Sequence, residues 1–158
     1  MQYNETELKT IANAPMMAGM AISLVDLGIV STAIEAAALG KEFVGVAKKY
    51  PNNSLIQTVF SEENFKSGVI KPEKPEITPE EVQSGALVDR AIASISEAIT
   101  ILTDRATPEE IQEYKQFIYG CGEAVAEAAG SGLFGSGSPK VSEKEALALS
   151  RLKTALAI

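Results

Sequence analysis

The sequence predicts an all-α fold, a compact bundle of about seven helices, and three observations carry that prediction. Four segments open with explicit helix caps, apolar residues recur at steps of three and four, and no stretch alternates polar with apolar long enough to make a strand. In each cap a side-chain oxygen can accept the amide three residues on, while a glutamate there reaches back. Asn4 with Glu7, Thr78 with Glu81, Thr107 with Glu110 and Ser142 with Glu145 all have this form. Pro79 and Pro108 follow two of the caps at the first helical position, where no amide is lost.

Taken in order, segments 6–13, 15–25, 29–39 and 43–50 read as consecutive helices divided by Pro15, Gly28 and Gly40 and closed by Pro51. The most apolar stretch, 14–25, is about a dozen residues long, well short of the ~20 that cross a bilayer, and reads as a buried helix. Between Thr78 and Asp104, the residues Val88, Ile92, Ile95, Ile99 and Leu102 form one helical stripe. The next segment repeats it with Ile111, Tyr114, Ile118, Val125 and Ala129. The short 103–107 connection predicts that these two helices are antiparallel neighbours forming the core hairpin. Leu149, Leu152 and Leu156 mark a closing helix with Arg151 and Lys153 facing away. The chain is read as a single domain over 1–158. An N-terminal helical half (4–65) is followed by a Pro- and Gly-containing linker (66–78) and a C-terminal helical half (79–158).

Composition narrows the function classes. The 158 residues carry a net charge of −7, with 46% hydrophobic and 22% charged residues, a globular balance whose field repels phosphate backbones and anionic lipid. Nucleic acid and membrane are not expected as partners. Lys48 and Lys49, the one adjacent basic pair, read as a solvated helix end. Histidine is absent, which excludes Ser-His-Asp and Cys-His catalysis within the chain. Cys121 is the only cysteine, so no internal disulfide forms. With Gly120 and Gly122 on either side it reads as a packed thiol where another helix comes close. The N-terminus lacks a basic region followed by an apolar one, so a cytoplasmic location is expected.

Three features remain as candidate chemistry. Gly130, Gly132 and Gly135 match the spacing of a dinucleotide loop, but a helix precedes them and the next cap, Ser142, lies well downstream, so an interhelical loop is expected. Glu123 and Glu127 share a helix face and read as solvated. Asp26 and Glu35 interrupt long apolar tracts. Asp26 reads either as a cap for the following helix or as a functional acid, and Glu35 either as a solvent-facing residue or as its partner.

Asn13-Ala14-Pro15 leading into Ala18-Gly19-Met20-Ala21, then Val25-Asp26-Leu27-Gly28-Ile29-Val30 and Glu35, resemble bacterial helical proteins related to tellurite-resistance TerB. Gly132-Leu133-Phe134-Gly135, the Lys140 to Glu145 run and Leu152 to Leu156 resemble the same group's glycine loop and closing helix. The resemblance implies a compact helical fold with acidic turns that hold a divalent metal, here through Asp26, Glu35 and Glu145. The chain departs from the group's Asp-Gly turn: Leu27 separates Asp26 from Gly28, and Ser136-Gly137-Ser138 stands at the second turn. A non-enzymatic role in a stress response follows, binding a divalent metal or a partner protein. The alternatives are a homodimeric interaction module with no ligand, using an apolar face of the N-terminal half, and an enzyme using Asp26, Glu35 or Glu145 as acid or base.

Overall fold

The computed structural model describes residues 3–25, 32–67, 76–130 and 141–158. These form eight helices and no strand: α1 (Glu5–Leu24), α2 (Thr32–Lys49), α3 (Ser54–Phe60), α4 (Glu62–Ser67), α5 (Pro79–Ser84), α6 (Ala86–Leu102), α7 (Pro108–Gly130) and α8 (Glu143–Leu156). The fold is all-α, as the sequence predicts. No helix among the described residues is long and apolar enough to cross a membrane.

All four caps close. Asn4 Oδ1 accepts the Glu7 amide at 2.9 Å and Glu7 Oε2 accepts the Asn4 amide at 2.7 Å. Thr78 with Glu81, Thr107 with Glu110 and Ser142 with Glu145 repeat the reciprocal pair. Each box satisfies two amides that the helix itself leaves unpaired.

Two expected breaks are absent and one unexpected break is present. Pro15 lies inside α1 and does not divide it. Proline has no amide, so the carbonyl four residues earlier, on Ile11, loses its helical donor. The buried Tyr114 hydroxyl of α7 donates to that carbonyl at 2.7 Å and restores the bond from outside the helix. Gly40 likewise leaves α2 unbroken; a mid-helix glycine costs only about 1 kcal/mol and packing overrides it. An unexpected break occurs at Gly85, whose φ of +76° places it in the left-handed region and separates α5 from α6. Upstream, Asn53 caps α3 by accepting the Ile56 amide at 2.9 Å.

The core is organised around α1. It packs chiefly on α6 and α7, while those two helices, expected to form a hairpin core, pack on α1 rather than on each other. The reason lies in the composition of α1. Ala12, Ala14, Ala18, Gly19 and Ala21 are buried beside Ile11 and Ile22, so neighbours approach it closely on more than one face. Periodicity reveals the buried stripe of α6 but not which helix covers it. The bond from Tyr114 to Ile11, and the approach of Ile22 to Gly122, make α1 and α7 parallel. The ion pair between Glu7 and Arg105 brings the end of α6 back to the start of α1.

Helix α2 packs on α7, with Phe43 and Phe117 ring centroids 5.4 Å apart edge to face. Phe60 of α3 joins them, 5.0 Å from Phe117 and 5.8 Å from Phe43. Gln57 of α3 donates to the Ala47 and Tyr50 carbonyls at the end of α2, 2.6 and 3.0 Å away. Helix α8 buries Leu149, Leu152 and Leu156 with Arg151 and Lys153 exposed, the closing helix the sequence predicts. A Cβ built on Gly122 would stand 3.1 Å from Leu149 and 3.3 Å from Ile22, so glycine here admits α8 and α1 against α7. Beside it Cys121 is fully buried, and loss of solvent, with Glu42 nearby, pushes its thiol well above the usual range. It is a packed, inert thiol.

Candidate functional site

Of the three acids singled out in the sequence, Glu35 stands in the first turn of α2 and is 2% exposed, which removes its solvent-facing reading. Its carboxylate accepts a hydrogen bond from the Ser23 hydroxyl of α1. Glu145 is 4% exposed in the first turn of α8, where its Oε2 accepts the Ser142 amide at 2.8 Å. A carboxylate there also complements the positive end of the helix dipole. The two acids lie toward one end of the bundle. Ile22, next to Ser23, and Leu149, one turn after Glu145, meet over Gly122. Asp26 lies outside the described residues, as does nearly all of the glycine-rich segment after α7, with Leu133 and Phe134, and so do residues 68–75 of the 66–78 linker. Among the described residues no three acidic or sulfur groups come together to hold a metal. Glu123 and Glu127 are exposed, and so are Lys48 and Lys49 in the last turn of α2, as expected for solvated faces.

Sequence reasoning missed a second polar centre at the opposite end of the bundle. There the first turns of α1, α3 and α7 meet the connection between α6 and α7. Asn53 Nδ2 donates to the Glu110 carbonyl at 3.1 Å and to Glu113 Oε2 at 2.8 Å, which ties α3 to α7. Glu110 Oε1 accepts the Ser54 amide at 3.0 Å and also the Ser54 hydroxyl, while Oε2 serves the Thr107 cap at 2.9 Å. Arg105 reaches Glu7 with two nitrogens, at 2.6 and 3.3 Å, and lies over the Tyr3 ring, 4.5 Å from its centroid. A cleft of about 190 Å³ opens between these groups, lined by Tyr3, Leu8, Ser54, Leu55, Thr58, Arg105 and Glu110. In sequence Glu110 is one half of a cap and Arg105 one residue of a short connection. Nothing local marks the pairing of either with residues some 50 to 100 positions away.

The electrostatics of this end follow from those bonds. Hydrogen bonds from Ser54 and from the Thr107 and Leu55 amides hold the Glu110 carboxyl below the usual value of 4.5, and the Arg105 guanidinium with the Asn4 amide does the same for Glu7. A carboxyl lowered on folding stabilises the native state above its unfolded pKa and loses that contribution as pH falls through the folded one. The melting temperature is therefore expected to hold near neutrality and to drop below about pH 4.5, with Glu110→Gln lower at pH 7 and less sensitive to acid. Thermal melts of both proteins from pH 7 to pH 3 check this; parallel curves would contradict it. Burial raises the Tyr3 hydroxyl above its usual 10.0, so it stays protonated throughout that range.

Comparison with protein-family models, with curated proteins and with solved structures finds no match.

Proposed function

We propose that this chain is a non-enzymatic cytoplasmic binding protein of the TerB-like kind, acting in a stress response through a divalent metal. The observation that carries the reading is Glu35, a carboxylate 2% exposed in the first turn of α2 beside the end of α1. In sequence Asp26 follows directly on Val25, the C-cap of α1. Glu145 belongs to the same end of the bundle, as its neighbour Leu149 lies against Gly122 near Ile22. With no histidine in the chain and its one thiol buried, the ligands are oxygens, and the cations that fit are Mg²⁺, Ca²⁺ and Mn²⁺.

A ligand that binds only the folded state raises the melting temperature. Screening Mg²⁺, Ca²⁺, Mn²⁺, Zn²⁺ and tellurite against the wild type, Asp26→Asn and Glu35→Gln is expected to give a rise with a hard divalent cation that both variants lose. A flat screen at millimolar cation would remove the metal reading.

One observation favours a second reading, an interaction module. On α2, Ala37, Gly40 and Val44 share an outward face, and Val44 is 61% exposed. That reading predicts a dimer mass by light scattering at tens of micromolar, reduced by Val44→Glu; a strictly monomeric mass counts against it.

A further inference from the structure

We propose that the cleft at the starts of α1, α3 and α7 binds a small zwitterion with an apolar side chain, the chemistry of a single free amino acid. Its lining combines three features. Leu8 and Leu55, 6% and 3% exposed, give an apolar floor. Arg105 supplies a cation and Glu110 an anion, and Tyr3, Ser54 and Thr58 add hydroxyls. A carboxylate without an ammonium would meet Glu110 and Glu7, and an ammonium without a carboxylate would meet Arg105. A zwitterion answers both charges, and an aliphatic side chain covers the leucines.

The charges are already in place before a ligand arrives. Glu7 and the Tyr3 ring fix the guanidinium. The Ser54 and Thr107 amides, at 3.0 and 2.9 Å, fix the Glu110 carboxylate. Ordering these side chains on binding therefore costs little. The volume of about 190 Å³ sets the size, being smaller than the roughly 300–1,000 Å³ of sites for drug-sized molecules. Valine and leucine are the natural probes, while a nucleotide is too large.

Thermal melts of the whole chain with about 10 mM L-valine or L-leucine test the proposal, with isobutylamine and isovalerate as single-charge controls. The amino acids are expected to raise the melting temperature by about 3–6 °C at roughly ten times Kd, and the controls to leave it unchanged. Thr58 is exposed at the rim, so Thr58→Trp fills the cleft and is expected to abolish the shift while keeping the ligand-free melting temperature. If the tryptophan variant does not fold, Thr58→Leu makes the same test with less added volume. No shift with either amino acid, an equal shift with a single-charge control, or a shift that survives the filled cleft would overturn it.

Discussion

Phe117→Ala is expected to destabilise the protein by about 3–5 kcal/mol, lowering the melting temperature by roughly 6–20 °C. Phe117 is 1% exposed in α7, and its ring sits edge to face against Phe43 of α2 and Phe60 of α3 at 5.4 and 5.0 Å. Phe60 in turn lies 6.4 Å from the Tyr114 ring. Removing the central ring leaves a void that three separate helices would have to move to fill, and it deletes the aromatic contacts as well as the buried area. Phe117→Leu retains most of the volume and is expected to cost appreciably less. Chemical denaturation of both variants measures this. A loss below about 1 kcal/mol for the alanine variant would contradict the packing described for α2, α3 and α7.

Tyr114→Phe is expected to cost about 1–3 kcal/mol through the loss of one hydroxyl, because it leaves the buried Ile11 carbonyl with no donor. The cost depends on Pro15. In a Pro15→Ala background residue 15 has an amide to offer to the Ile11 carbonyl, so removing the Tyr114 hydroxyl should then cost a few tenths of a kcal/mol. Pro15→Ala alone also loses buried ring volume, so the two single variants and the double variant must be measured together. Additive losses would show that the hydroxyl and the proline are not linked as described.

These two variants mark the boundary of what could be read from the sequence. The caps were legible because both partners lie within one turn: Asn4 and Glu7, or Ser142 and Glu145, meet as soon as the helix forms. The stripe of α6 was legible for the same local reason, with Val88, Ile95 and Leu102 buried and Ile92 and Ile99 packed against the core. Pro15 misled because its effect is decided by Tyr114, 103 residues away. Periodicity also gave no partner for α6, since a stripe facing α1 looks the same as one facing α7.

The candidate site was partly legible. Glu35 stood out as an acid inside an apolar tract, and it is buried. Its contact with Ser23 was not visible, because the two residues occupy different helices. Glu145 was visible as a cap but not as a residue buried against the core. The cleft at the other end was not visible at all: Tyr3, Thr58, Arg105 and Glu110 come together only when four separate elements fold.

The most direct test of a metal-binding role is a calorimetric titration of the wild type and Glu35→Gln with Ca²⁺ and Mn²⁺ at neutral pH. The proposal predicts saturable binding at one site per chain in the wild type, and its loss in Glu35→Gln with the fold retained. No binding to the wild type at millimolar cation, or equal binding to both proteins, would contradict it.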